Sequence, residues 1–403
     1  MLTAPDTADR RSPTLARTWH PGRSLPLDML RGLAILLVLG RHGVMATTDL
    51  GALTPFANAW KTIGWAGVDL FFVLSGYLVS GLFFAEYRHS GNVNVRRFMI
   101  RRGFKIWPPY LVYLGVVALW LGWRHHAGNP AAVWGDLWPN FLHVQNYFHS
   151  PRIHTWSLAV EEHFYLGLAL LFLVMLRVRG LAGFLRWLPV LIVGGVITAA
   201  VLRHAAFLSL GPAQMNLYAT HLRWDGLLVG TLLAYSTHFH PVRLAPLSRH
   251  PLALILTGVL LAAPTLSLSP EASPWLASVG LVGVYAGFGL ILLGVLNLPS
   301  SHVRWEKLFA TRPAALLGQV GFYSYSIYLW HIDLVQIPLQ KLVPHLAGTQ
   351  VSAGVLWAGI TTVYVVAAVV CGRWLAHLVE RPSLRLRDRL FPSLAPATTP
   401  STP

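Results

Sequence analysis

Apolar stretches of membrane-crossing length follow one another along this chain, near residues 29–48, 63–85, 107–124, 157–177, 188–207, 222–237, 252–269, 276–297, 316–335 and 352–375. In hydrocarbon every backbone N–H and C=O must be satisfied internally, and segments of about 20 apolar residues do this as helices. The expected fold class is all-α: a polytopic membrane protein of about ten transmembrane helices. Composition agrees, with 54% hydrophobic and only 11% charged residues, where a soluble domain carries about 25% charged. Mean hydropathy is +0.53. Short links between the stretches predict one membrane domain over 25–390. Residues 1–24, mixing Arg, Pro, Ser and Thr, and residues 391–403 are expected to be disordered tails. The first has no apolar run and is not expected to be a cleavable signal.

Basic residues sort by loop. Alternating the loops between two sides puts 22 of the 31 Lys and Arg on one side and Lys61, Arg124, Arg152 and Lys341 on the other. The positive-inside rule then places both termini in the cytoplasm. Such sorting also accounts for the net charge of +16 with a lipid bilayer, and no nucleic acid, as partner. The single cysteine, Cys371, excludes an intrachain disulfide and a multi-cysteine metal site, and its apolar run marks a packed thiol. The histidines are scattered without paired ligand spacing, so no metal is expected. Arg outnumbers Lys 27 to 4, which fits a GC-rich bacterial genome.

Ionisable groups inside apolar spans are costly and by default mark function. Arg31 and His42 share the first span, eleven residues or about 16 Å apart along a helix. That is about half the hydrocarbon thickness, so one helix is expected to present a fixed cation near one membrane face and a proton-accepting imidazole well inside. Asp69 stands in Gly67-Val-Asp-Leu-Phe-Phe-Val-Leu-Ser-Gly76 and must be paired, protonated or facing a wet cavity. Gly76 allows close approach of another backbone or of a thin substrate. Before the third span, Arg102 and Lys105 fall on one helical face, ahead of Pro108-Pro109, which are expected to redirect the chain. Cations at that depth suit a phosphate group, or else anionic lipid. His154, Trp156, Glu161 and Glu162 open the fourth span, where they could bind a hydroxylated acceptor or anchor the helix at the interface. Tyr323-Ser-Tyr-Ser-Ile-Tyr-Leu-Trp-His331 ends an aromatic stripe that reads equally as packing.

Six pieces in order resemble the acyltransferase family 3 of integral membrane proteins. They are Arg31-x10-His42, Gly67–Gly76, the basic loop before Pro108-Pro109, Thr155-Trp-Ser-Leu-Ala-Val-Glu161, Tyr325–His331 and Val379-Glu-Arg-Pro382. The resemblance covers nearly the whole chain. It implies a multi-pass protein of the bacterial inner membrane that moves an acyl group, usually acetyl, from acyl-coenzyme A to a hydroxyl. Acceptors in the family include cell-surface glycans, membrane-linked sugars and small hydroxylated metabolites. Carried over, Arg31 and His42 are the essential pair, and the family's arginine pair falls on Arg102 and Lys105. Lysine at the second position binds phosphate as a point charge without the bidentate fork. Many family members carry a fused extramembrane esterase-like domain, which is not expected within these 403 residues.

The expected mechanism makes His42 a general base on the acceptor hydroxyl, with Asp69 or Glu161 orienting its ring. Arg31 is expected to hold the donor or the developing oxyanion, and Arg102 and Lys105 the nucleotide end of acyl-coenzyme A as co-substrate. His154, Trp156, Glu162 and His331 are expected on the substrate side. The competing expectation is a transporter that uses Arg31, His42, Asp69, Arg223 and Asp225 as a polar pathway.

Overall fold

A computed structural model describes residues 24–47, 49–124, 128–178, 180–268, 270–301, 303–346 and 351–392. Apart from Ser24, Phe391 and Pro392, the two expected tails lie outside these residues. Among the described residues the protein is all-helical, without a strand. In chain order the helices are α1 (Leu25–Arg41), α2 (Thr54–Ile63), α3 (Ala66–Ser90), α4 (Val95–Arg124), α5 (Pro130–Phe141) and α6 (Trp156–Val178). Next come α7 (Gly180–Leu210), α8 (Asp225–Phe239), α9 (Pro241–Ser248), α10 (Pro251–Ser267), α11 (Leu281–Ser301) and α12 (Val303–Phe309). The last are α13 (Arg312–Phe322), α14 (Ser324–Trp330), α15 (Ile337–Leu342), α16 (Ala353–Leu375) and α17 (Arg381–Leu390).

Among the described residues, six segments are long and apolar enough to cross a membrane, namely Ala66–Ser90, Val95–Arg124, Ile153–Met175, Gly183–Leu210, Leu276–Leu298 and Ala353–Leu390. α9 and α10 would add a seventh, bent by 88° at their junction. The expected count of ten is therefore not reached on length and apolarity. α1 stops after 17 residues at Arg41, and α8 has only 15 because it begins at Asp225. The ninth expected span is broken: α13 ends before Tyr323, and α14 gives way to a π-helical turn at His331–Gln336. Large apolar side chains face outward, including Trp123 at 78% and Leu260 at 73% exposure. In water such a surface would be an aggregation hazard; against lipid it costs nothing.

Two local devices set the frame for the site. α3 and α8 touch backbone to backbone, because a Cβ on Gly76 would sit 2.0 Å from Leu227 O and one on Gly230 2.1 Å from Val73 O. The room that Gly76 leaves is thus taken by a helix, not by a substrate. α4 runs unbroken through Pro108 and Pro109, contrary to the expected redirection. Proline lacks the N–H that would bond the carbonyl four residues earlier. For Pro108 that carbonyl is Phe104 O, and Ser383 Oγ donates to it at 2.5 Å. Helix α17 thereby supplies the missing donor, and Arg102 and Lys105 stay in helical register with the rest of α4.

Candidate active site

Between α1, α3, α4, α6 and α14 lies a cavity of about 830 Å³, counted to its open mouth. Its cations are Arg31 from α1 and Arg102 and Lys105 from α4; its carboxylates are Glu161 and Glu162 from α6. Ser75, Ser157, Tyr165, Tyr325 and Tyr328 add hydroxyls to an otherwise apolar wall. The three-residue spacing of Arg102 and Lys105 does put both on the cavity side of α4.

The charges differ in what holds them. Arg31 Nη1 lies 3.3 Å from Asp28 Oδ1, one turn earlier. The Arg102 guanidinium stacks over the rings of Tyr165 at 5.3 Å and Phe98 at 5.9 Å, a cation–π setting worth about 0.5–2 kcal/mol. Neither Arg102 nor Lys105 makes an ion pair among the described residues. Glu161, by contrast, is engaged: Tyr165 donates to its Oε2 at 2.5 Å, and Ser75 Oγ reaches the same oxygen at 3.4 Å. Glu162 accepts from Trp107 Nε1 at 3.1 Å through Oε2, while its buried Oε1 has no partner. Three cations against two carboxylates leave the cavity lining net positive, a setting that suits an anionic group.

Tyr328 closes the cavity toward a second cluster. Its hydroxyl bonds Ser157 Oγ at 2.7 Å and donates to the His154 carbonyl. Its ring stands 6.0 Å from that of His331. His331 stacks on His42 with ring centroids 5.1 Å apart and planes at 19°, and His42 Nδ1 lies 2.9 Å from His331 Nε2. His154 meets His331 edge-on at 5.7 Å. His42 follows the last residue of α1 as its cap, which fixes the ring's origin at the end of that helix.

The structure thus gathers Arg31, Arg102, Lys105, Glu161 and Glu162 in one cavity, and His42, His154 and His331 in an adjoining cluster. It does not bring Asp69 to His42. Asp69 Oδ1 is 2.5 Å from Arg223 Nη2, a buried pair tying α3 to the turn before α8, and Arg203 Nη2 is 2.6 Å from Asp225 Oδ2, a buried pair tying α7 to the start of α8. Arg203 also donates to Ala277 O and Leu222 O at 2.6 Å each. These pairs also consume Arg223 and Asp225, which the transporter expectation needed as a pathway. Glu161, the other expected partner for His42, is held by Tyr165 instead. Trp156 lies buried against Phe72 and Tyr218, with Arg223 over its ring at 5.2 Å, outside the lining of the cavity.

Sequence reasoning passed over Ser75 as a candidate and gave no site role to Tyr165, Tyr325 or Tyr328. A readable signal existed for two of the tyrosines. Tyr325, Tyr328 and His331 recur every three residues, which sets them on one helical face. The link between the last two motifs is also physical: Ser326 donates to Glu380 at 2.9 Å, and Arg381 donates to Tyr323 Oη at 2.8 Å.

Fold and site together define a multi-pass helical protein with an internal cavity lined by cations next to a histidine cluster. Residues 26–376 match the family described as acyltransferase domain, and the chain belongs to that family. It is 27% identical over 354 residues to a peptidoglycan O-acetyltransferase of Listeria monocytogenes, covering 81% of this chain and 51% of that protein. A putative O-acetyltransferase of Staphylococcus aureus is 27% identical over 73% of this chain and 50% of its own length. A putative peptidoglycan O-acetyltransferase of Bacillus subtilis is 26% identical over 75% of this chain and 50% of its own. The chain spans about half the length of the curated relatives it matches. No solved structure matches it.

Proposed function

We propose that this protein is a membrane O-acyltransferase that moves an acetyl group from acetyl-coenzyme A to a hydroxyl of a cell-wall glycan. The carrying observation is the cavity in which Arg31, Arg102 and Lys105 outnumber the carboxylates and which ends at Tyr328, against the His42 cluster. Family membership supports acyl transfer, and the relatives named for peptidoglycan support a glycan acceptor. The sorting of Lys and Arg supports cytoplasmic termini, ten passes counting the short and broken helices, and residence in the bacterial inner membrane.

The anionic nucleotide end of the donor sits against Arg102 and Lys105, and its pantetheine arm runs along the apolar wall past Tyr325 and Tyr328. The thioester comes to His42. Neutral His42 takes the proton of the acceptor hydroxyl as its oxygen attacks the thioester carbonyl. The tetrahedral intermediate collapses with loss of the coenzyme A thiolate, which takes the proton back from His42. Arg31, about 16 Å along α1 from His42, holds the donor rather than the oxyanion.

Thermal unfolding of the purified protein in detergent, titrated with acetyl-coenzyme A, tests the donor site without an acceptor. A ligand binding only the folded state at 100 times its Kd stabilises by about 2.7 kcal/mol. Saturable stabilisation is expected for the native protein and for His42→Ala, and its loss for Arg102→Ala with Lys105→Ala. Absence of any shift with the native protein would remove the donor assignment.

A further inference from the structure

We propose that His331 is a positioning residue: it holds His42 in the Nδ1–H tautomer, so that the His42 Nε2 lone pair is the base. This rests on the general-base reading of His42 and adds which nitrogen acts and what makes it act.

The assignment follows from a chain of hydrogen bonds that begins at an acceptor with no choice. His331 Nδ1 lies 2.7 Å from Tyr328 O and 3.2 Å from Ile327 O. Carbonyl oxygens only accept, so Nδ1 carries the proton. A neutral imidazole has one N–H, which leaves Nε2 of His331 as an acceptor. The ring is 1% exposed, with no carboxylate bonded to it among the described residues. A charge there would be buried without compensation. The atom 2.9 Å from His331 Nε2 is His42 Nδ1, which must therefore donate. His42 Nε2 is then unprotonated, and it has no hydrogen-bond partner among the described residues. A histidine side chain free in water favours the opposite tautomer, with the proton on Nε2 and no lone pair there. The partner on the other nitrogen decides which form is present.

The local backbone explains why His331 can play this part. α14 ends at Trp330, and the chain loosens into a π-helical turn at His331. The His331 backbone N–H still bonds Ile327 O, and its ring Nδ1–H reaches back to Tyr328 O one turn earlier, so backbone and side chain together tie the residue to the end of α14. His154, edge-on at 5.7 Å with Nε2 3.4 Å from Leu329 O, walls the other side of His331.

The role separates cleanly from mere packing. His331→Phe keeps an aromatic ring stacked on His42 and removes the acceptor. His331→Gln removes the ring and offers a carbonyl oxygen at about the reach of Nε2. Full-length protein labelled with 15N-histidine, in lipid nanodiscs, reports the tautomer directly, with the His42 signal identified by its loss in His42→Ala. We expect a protonated Nδ1 and a bare Nε2 in the native protein and in His331→Gln, and the proton shifted to Nε2 in His331→Phe. In turnover assays with acetyl-coenzyme A and soluble peptidoglycan fragments, kcat of His331→Phe should fall at least about tenfold, as when an orienting partner is lost. KM for acetyl-coenzyme A should stay within about twofold, and His331→Gln should recover most of kcat. A native His42 carrying its proton on Nε2, or His331→Phe with native kcat, overturns the proposal. Turnover retained by His42→Ala would instead overturn the general-base reading on which it rests.

Discussion

At the scale of single residues, Asp69 and Arg102 look alike in the sequence, each an ionisable group in an apolar stretch. Their partners separate them. Asp69 meets Arg223, 154 positions away in the chain, and both side chains are buried. Removing one member of such a pair strands the other in low dielectric, at about 3–5 kcal/mol. Asp69→Ala is therefore expected to lower the unfolding temperature markedly, whereas Asp69→Leu combined with Arg223→Met costs much less. Thermal melts of the three proteins in detergent check this. An Asp69→Ala protein with native stability and no activity would return Asp69 to the chemistry. Arg102 and Lys105 close no direct ion pair among the described residues, so their replacement should cost less stability than Asp69→Ala while weakening donor binding. What the sequence made legible at this scale was which groups were costly. The structure supplied their pairings, including His42 with His331, 289 positions apart.

Among the helices, glycines decide how closely the layers approach. A side chain at Gly76 would meet the backbone of Leu227, which cannot rotate away, whereas a Cβ at Gly194 meets nothing within 4 Å. Gly76→Val should push α3 and α8 apart, cutting the yield of folded protein and the melting temperature. Gly194→Ala should be neutral or stabilise by up to about 1 kcal/mol, from helix propensity alone. Equal effects of the two would argue against the interlocked α3–α8 pair. The same scale explains the misjudged prolines. Pro108-Pro109 read locally as a break, and locally that is right. The break is healed by Ser383 on α17, remote in sequence but adjacent in space. Likewise Tyr323 and His331 interrupt a stretch that hydropathy reads as one continuous span.

For the molecule as a whole, the sorting of basic residues makes a topological prediction. Cys371 replaced by Ser gives a background for single cysteines introduced at exposed loop sites. A cysteine at Arg96 should react only with membrane-permeant thiol reagents in intact cells. One at Phe148, before α6, should react with impermeant reagents as well. Reversal of this pattern would put the anion site on the wrong side for a cytoplasmic donor. The sequence by itself determined the class: apolar runs dictate helices because the backbone must bond to itself, and loop charge is a local sum that folding leaves unchanged. Helical spacing, also a local rule, set Arg102 and Lys105 on one face of α4. The packed helices alone pair Asp69 with Arg223 and His331 with His42. Those are pairings between segments far apart in the chain, and their energies come from burial and hydrogen-bond geometry that exist only once the helices have packed.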